Sequence, residues 1–223
     1  MLTNIWSVTK KELRDYFSSS AALLFLIIFL IAIYIVFFWV DAFFARNLAD
    51  VRPLFNWIPI LFISLIAALT MHTWSEERCR GAIELILTSA ISPWAYLIGK
   101  FLAVLGLIAV ALLLTSPLPL TVSYLGELDW GPVMGGYIAA LFLAAAYVAI
   151  GIWASSQTEN QIVSLILSIA LTGAMYVLGS ATVTNLLPYE VGEWLRDFGS
   201  GSRFESITRG VLDLRDIFYY ITI

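Results

Sequence analysis

Five long apolar runs dominate the sequence and limit what the chain can fold into. They lie at residues 21–44, 54–74, 94–117, 132–154 and 161–182, and none shows the strict alternation of a half-buried strand. A helix needs about 20 residues to cross the hydrocarbon core of a bilayer, and it satisfies its own backbone polar groups there. The runs predict an all-α integral membrane protein, in which residues 1–223 form a single polytopic helical bundle with five complete spans.

The composition agrees with a membrane protein and excludes several other classes. Apolar residues make up 61% of the chain and charged residues 13%, against about 45–50% and about 25% in soluble domains. The net charge is -4 and no basic tract stands out, so nucleic-acid binding has no electrostatic basis. Cys79 is the only cysteine, which excludes an intrachain disulfide and a cysteine metal cluster.

The segment before the first run has the pattern of an amphipathic helix. We predict this helix over residues 3–19, lying in the plane of the membrane interface. A solvated tail is the alternative for the same segment. The residues that carry the pattern are the charged Lys10, Lys11 and Arg14 and the aromatic Trp6, Tyr16 and Phe17.

Residues 75–93 form the most charged short connection between two spans. Charged and apolar side chains are mixed in this connection, which predicts a short helix or elbow that is partly buried against another surface. The charged residues are Glu76, Glu77, Arg78, Arg80 and Glu84, and the apolar ones are Ile83, Leu85, Ile86 and Leu87.

The sequence after the fifth run is mixed in character, and we predict an extracytoplasmic segment over residues 184–215. An amphipathic helix is expected where Phe204, Ile207, Val211 and Leu214 recur at helical spacing. Residues 216–223 are apolar again, but such a short helix rises only about 10 Å. We therefore expect residues 216–223 to be the start of a truncated sixth span.

Positive residues indicate the orientation, because short cytoplasmic loops are enriched in Lys and Arg. With a cytoplasmic N-terminus, the inner side carries Lys10, Lys11, Arg14, Arg78, Arg80 and Lys100. The short outer loops carry only Arg46 and Arg52, and the tail adds Arg196, Arg203, Arg209 and Arg215. With the tail included, the inner and outer sides carry equal numbers of Lys and Arg residues. The prediction of a cytoplasmic N-terminus therefore rests on the short loops alone.

The motifs of membrane enzymes and ion-coupled carriers are missing from the sequence. No glycine-rich phosphate loop is followed by Lys-Ser/Thr, so we do not expect this chain to hydrolyse ATP. His72 is the only histidine, and a single histidine without other ligand residues does not indicate a metal site. It also shares a predicted helix with Ser64, whereas a catalytic serine–histidine pair needs side chains that face one another. Mid-span ionisable residues, the usual proton relays, are nearly absent. We expect no catalytic, cofactor or metal site, and any transport must be powered from outside the chain.

Residues 70–102 resemble a known linker. The matching blocks are Glu76-Glu77-Arg78, Gly81-Ala82-Ile83-Glu84-Leu85-Ile86, Thr88-Ser89 and Gly99-Lys100. They are similar to the connection between the second and third spans of ABC exporter permeases of the second type (ABC-2). Residues 10–20 are similar to that family's interfacial helix. Residues 202–220 are similar to the segment before the last span in its gliding-motility branch.

The resemblance implies a fold, partners and site residues. It implies six spans per subunit and a second permease subunit, identical or related. It also implies a multi-pass protein of the bacterial inner membrane, among membrane lipids, and a possible extracytoplasmic accessory protein. Two copies of a cytoplasmic ABC ATPase would hold ATP and Mg and would dock on residues 75–93. The docking residues implied are Glu76, Glu77, Arg78, Arg80, Gly81, Ile83, Glu84, Leu85, Ile86, Thr88 and Ser89. The implied extracytoplasmic helix contains Phe204, Glu205, Arg209, Gly210, Asp213, Arg215 and Asp216.

The predicted function is a permease subunit that couples ATP hydrolysis by a separate ATPase to export of a substrate. One alternative is a membrane subunit of the same kind that does mechanical work on an envelope protein without moving cargo. A second alternative is a membrane-embedded enzyme or cofactor-binding subunit, which would need clustered polar side chains at membrane depth. Lipid-like, glycan and peptide cargo all suit spans rich in small and aromatic residues.

Overall fold

The computed structural model of the chain describes residues 2–46, 48, 50–79, 81, 92–185, 188, 191, 192, 195, 199–208 and 214–222. Every regular element in these residues is helical, which confirms the predicted all-α fold. The helices are α1 (Leu2–Ser18), α2 (Ser20–Ile35), α3 (Phe43–Arg46), α4 (Arg52–Thr70), α5 (Ser75–Cys79), α6 (Pro93–Leu114), α7 (Pro117–Leu125), α8 (Trp130–Ser156), α9 (Gln161–Leu178), α10 (Ala181–Thr184), α11 (Ser200–Thr208) and α12 (Leu214–Thr222).

Within the described part of the chain, five helical stretches are long and apolar enough to cross a membrane, as many as the predicted complete spans. They are Ser20–Arg46, Arg52–Cys79, Pro93–Leu125, Trp130–Ser156 and Gln161–Leu178. Their bounds differ from the predicted ranges by a few residues, except in the third. That helix stops at Leu114 and a second helix begins at Pro117, because proline has no N–H to continue the ladder but fits a helix start.

Helix α8 forms the centre of the bundle and contacts α4, α6, α9, α11 and α12. Small residues allow these close contacts, as is typical of helix pairs in membranes. A Cβ added at Gly136 would lie 2.6 Å from the ring of Phe55 on α4, and one at Gly151 would collide with Thr70. By contrast, α2 and α9 expose much of their apolar surface.

Helix α1 lies along α6, and glycine again permits the approach. Val8 of α1 is buried, and a Cβ added at Gly99 of α6 would lie 2.6 Å from its Cγ1 atom. The opposite face of α1 exposes Trp6 and Phe17. One side of this amphipathic helix therefore packs on the bundle, while the other presents aromatic side chains outward.

The two ends of the bundle differ in their connections. The end where α1 meets α2 and where α4 passes into α5 is called the α1 end below. The opposite end, called the far end, contains residues 41–46, 48 and 50–52 and the connection between α7 and α8. There the Asp41 carboxylate accepts hydrogen bonds at 3.0 Å from both Arg46 and the Trp57 indole. Asp41 follows a π-helical turn, Val36–Val40, that widens the end of the first span.

Candidate functional site

The passage from α4 into α5 is anchored to the end of α8 by one serine. The Ser155 hydroxyl oxygen accepts hydrogen bonds from the backbone N–H groups of Trp74 at 3.0 Å and Ser75 at 3.2 Å. It also donates to the Met71 carbonyl at 3.1 Å. Ser155 and Ser75 are fully buried. Since a turn leaves backbone groups without helical partners, Ser155 satisfies the groups that the bend exposes.

An arginine adds a second link between the same two elements. Arg78, on the last turn of α5, donates from Nη1 to the Ser156 carbonyl at 2.6 Å. A charged donor on the last carbonyls of a helix is favourable, because the C-terminal end of α8 carries partial negative charge. Through Ser155 and Arg78, α5 is held against α8 rather than projecting freely.

Replacing Ser155 with alanine tests this anchor. We expect a loss of about 1–3 kcal/mol in the free energy of unfolding, because two buried N–H groups would lose their acceptor. Unfolding of the purified protein in mixed detergent micelles measures the change. Ser156→Ala is the matched control, since that hydroxyl contacts only neighbours in sequence, donating to the Trp153 carbonyl and accepting from the Gln157 side chain, and makes no hydrogen bond to α5 within the described residues. Equal losses in both variants would contradict the anchor.

A buried lysine joins three elements at the α1 end. Lys100 of α6 is only 3% exposed. Its ammonium lies 2.8 Å from the Glu77 carboxylate of α5 and 3.5 Å from the Glu12 carboxylate of α1. It also donates to the Thr73 carbonyl at 3.0 Å. A lysine has three donors, and each of these partners can take one.

Aromatic side chains surround this ion cluster. The Lys100 nitrogen lies 5.0 Å from the centre of the Tyr96 ring and 6.0 Å from that of Trp74, within the range of cation–π attraction. The Tyr96 hydroxyl donates to the same Glu77 oxygen at 2.5 Å. These rings cover one side of the cluster, and the low exposure of its side chains strengthens its charge interactions. We call Glu12, Glu77 and Lys100 the Lys100 cluster.

Tyrosine 16 makes a further contact between α1 and the second span. Its hydroxyl donates to the Leu69 carbonyl of α4 at 3.3 Å. Burial raises the pKa of Tyr16 to about 12, so the hydroxyl remains a donor throughout the physiological range. This contact ties the C-terminal half of α1 to the end of α4, while the Glu12–Lys100 pair ties it to α6.

The structure describes only the first part of the predicted docking segment. Glu76 lies 3.9 Å from the His72 ring, Glu77 belongs to the Lys100 cluster, Arg78 is bonded to α8, and Gly81 has a positive φ of 68°. The remaining predicted residues lie outside the described part, and their role stays a prediction: Arg80, Ile83, Glu84, Leu85, Ile86, Thr88 and Ser89. In the predicted interfacial helix, Lys10, Lys11 and Arg14 are exposed.

A second buried ion pair lies in the predicted extracytoplasmic region. Arg203 of α11 donates from Nη1 to the Asp216 carboxylate of α12 at 3.0 Å, and Asp216 is 1% exposed. Phe204 is buried, whereas Arg215 is exposed. The side chain of Glu205 and residues Arg209, Gly210 and Asp213 lie outside the described part.

Sequence reasoning missed several of the residues that the structure brings together here. It counted Lys100 among the positive residues of the inner side, but did not predict its burial or its pairing with Glu12 and Glu77. It also did not single out Ser155 or Val8. A lysine at the start of an otherwise apolar helix was the available signal for the Lys100 cluster. Within the described residues no group of three or more histidine, cysteine or acidic side chains is placed to hold a metal ion.

Comparison with protein families gives one match. A family model described as "ABC-2 family transporter protein" matches residues 45–201, which is more than two thirds of the chain. The matched region contains the second to fifth spans and the whole of α5. No curated protein sequence matches the chain.

Proposed function

This chain belongs to the ABC-2 transporter family, whose members are membrane permeases of ABC transporters, and we propose that it is the membrane subunit of an ATP-driven exporter. Family membership implies an ABC ATPase as partner. In the proposal, residues 75–93 are the cytoplasmic segment on which that ATPase docks. Hydrolysis in the ATPase would move this segment, and the segment would move the spans.

The observation that carries the proposal is the double attachment of α5. Ser155 and Arg78 join it to α8, and Glu77 joins it to α6 and α1 through Lys100. A displacement of α5 would therefore reach three helices without any intervening flexible linker. Rigid-body motion of packed elements is how small shifts at an effector site become larger rearrangements. A solvated loop with no internal contacts would not transmit force in this way.

The docking contacts would come from the part of the segment beyond Gly81. The apolar Ile83, Leu85 and Ile86 would fill a groove on the ATPase, and Arg80 and Glu84 would set the orientation by complementary charge. Glu77 is occupied by Lys100 and Tyr96, so we assign it to transmission within the permease rather than to the ATPase surface.

The finer features of the proposal come from the sequence resemblance and the charge distribution. The α1 end faces the cytoplasm, and the protein lies in a bacterial inner membrane. Two permeases, identical or related, pair with two ATPase copies. Residues 184–215 face outward, where an accessory protein of the kind expected in the gliding-motility branch would bind.

Co-purification tests the docking segment. The full-length, affinity-tagged chain is extracted in mild detergent from its native host, and bound proteins are identified by mass spectrometry. We expect recovery of an ABC ATPase with the unaltered chain. We expect at least a tenfold loss of recovery with Ile83→Asp or Glu84→Lys, because a buried interfacial charge mismatch costs several kcal/mol, and about 1.4 kcal/mol is tenfold in affinity.

Glu127→Lys is the matched control for the charge reversal. Glu127 is an exposed glutamate in the connection between α7 and α8, at the far end, so its reversal is expected to leave ATPase recovery unchanged. Equal recovery from Glu127→Lys, Glu84→Lys and Ile83→Asp would overturn the assignment of residues 75–93. Loss of recovery in Glu127→Lys alone would place the docking surface at the far end.

A further inference from the structure

A cavity of about 510 Å³ opens at the α1 end between α1, α2 and α4. Its volume is within the range of small-ligand sites, about 300–1,000 Å³. The walls divide into two parts. One is polar and comes from α1, α5 and the end of α4, and the other is apolar and comes mainly from the first turns of α2 and the last turns of α4.

The polar wall carries more acidic than basic groups. Four carboxylates line it, from Glu12, Asp15, Glu76 and Glu77, against the ammonium groups of Lys11 and Lys100. The electrostatic potential inside the cavity therefore favours a cation, since like charges repel and opposite charges attract across short distances in a partly dehydrated site.

The donors of the buried lysine are already engaged. Lys100 is within 3.5 Å of Glu77, Glu12 and the Thr73 carbonyl, which leaves it no donor for an anionic ligand. On the acidic side, the side chain of Asp15 is exposed, and the partly exposed Glu12 lines the cavity beside it. The cavity therefore offers acceptors to a ligand more readily than donors.

The apolar floor lies where the bundle meets the membrane interface. It consists of Ala21, Ala22 and Phe25 at the start of the first span and Ala68 and Leu69 at the end of the second. The same helix α2 exposes Leu24 and Ile28 on another face, as expected of a helix in contact with lipid. A ligand in the cavity would thus have its polar group against α1 and an apolar part at the level of the outermost acyl chains.

We infer that this cavity binds an amphiphilic cation, an ammonium headgroup joined to an alkyl tail. The ammonium donates to the carboxylates of Glu12 and Asp15, and the first part of the tail covers Ala22, Phe25 and Leu69. An aminophospholipid of the surrounding leaflet and a water-soluble alkylammonium share this chemistry. The site requires no ATPase and does not depend on the docking proposed for residues 75–93.

Photolabelling of the full chain in lipid nanodiscs tests the inference. The probe is an alkyl primary amine with a diazirine near the headgroup end of its tail, and the control is an alkyl sulfate with the same tail. Labelled peptides are located by mass spectrometry. We expect the amine to label peptides containing residues 19–25 or 68–73 roughly tenfold more than the sulfate does, since reversing a charge near two carboxylates changes binding by more than about 1.4 kcal/mol.

Two variants separate the cavity from the general lipid boundary. Ala22→Phe fills the apolar floor and Asp15→Lys reverses an exposed charge at the rim, and each is expected to reduce amine labelling of these peptides at least severalfold. Asp15→Lys remains informative if Ala22→Phe does not fold. Equal labelling by amine and sulfate, or amine labelling unchanged in a folded variant, would overturn the site.

The composition of the nanodisc identifies the source of the ligand. Suppression of amine labelling by phosphatidylethanolamine, but not by phosphatidylglycerol, supports the site and assigns an aminophospholipid to it. Undiminished labelling in both lipids supports a soluble alkylammonium. Suppression by phosphatidylglycerol alone would show that the cavity prefers an anionic headgroup, which contradicts the inference.

Discussion

Lys100→Met is expected to lower the free energy of unfolding by about 3–5 kcal/mol, the cost typical of removing one partner from a buried ion pair. The substitution keeps an unbranched side chain of similar reach, so packing against Trp74 and Tyr96 is largely preserved. It removes the cation that balances Glu77 at 2.8 Å and Glu12 at 3.5 Å. The carboxylates of Glu12 and Glu77, whose side chains are 14% and 20% exposed, would then lack their balancing cation.

The loss should be specific to the cluster. Lys10→Met is the matched control, because Lys10 is an exposed lysine of α1, and we expect no measurable change in stability. The double variant Lys100→Met with Glu77→Gln should recover part of the loss, since it removes the unbalanced charge on α5. Unfolding in mixed detergent micelles measures all three. A small effect of Lys100→Met, equal to that of Lys10→Met, would show that the ion cluster contributes little.

Lys100→Met also tests whether movement of α5 is transmitted to the spans. In the proposed exporter, Lys100 is the point where α5 meets α1 and α6. A protein that remains folded after Lys100→Met is therefore expected to bind its ATPase but to lose the effect of the permease on ATP hydrolysis. The docking variants Ile83→Asp and Glu84→Lys should lose the ATPase altogether. This difference separates docking from transmission.

The spans could be predicted from sequence because their signal is local. Hydropathy over about 20 residues is enough to place a membrane helix, and all five complete spans were found in this way. The predicted third span stops at residue 117, close to the break at Thr115 and Ser116, but the helix that follows the break, Pro117–Leu125, was not predicted. Proline cannot continue the hydrogen-bond ladder but can begin a new helix, and hydropathy alone does not show this.

The site could be predicted only in part because its contacts join distant parts of the chain. Glu12, Glu77 and Lys100 lie on three helices, and no local pattern indicates which carboxylate a lysine will meet. The role of Ser155 was equally hidden, since it depends on the bend of α4 into α5. Gly99 was noticed only within a family motif, yet its closeness to Val8 is what allows α1 to lie along α6.

A second large effect on the free energy of unfolding is expected at the junction of α11 and α12, where Arg203 and Asp216 form an ion pair. Arg203→Met is expected to lower the free energy of unfolding by about 3–5 kcal/mol, because the buried Asp216 carboxylate would lose the partner that now lies at 3.0 Å. The Tyr220 hydroxyl, which donates to the Ser200 carbonyl, would remain to hold the two helices. It cannot balance the charge.

The Arg46–Asp41 pair provides the matched control, because it has the same residue types and the same 3.0 Å separation but much greater exposure. Arg46→Met is expected to cost less than about 1 kcal/mol, as for other exposed ion pairs. The double variant Arg203→Met with Asp216→Leu should be more stable than Arg203→Met alone, since replacing both charges removes the unpaired carboxylate. Similar losses from Arg203→Met and Arg46→Met in the same unfolding assay would mean that burial of Asp216 does not determine the stability of this junction.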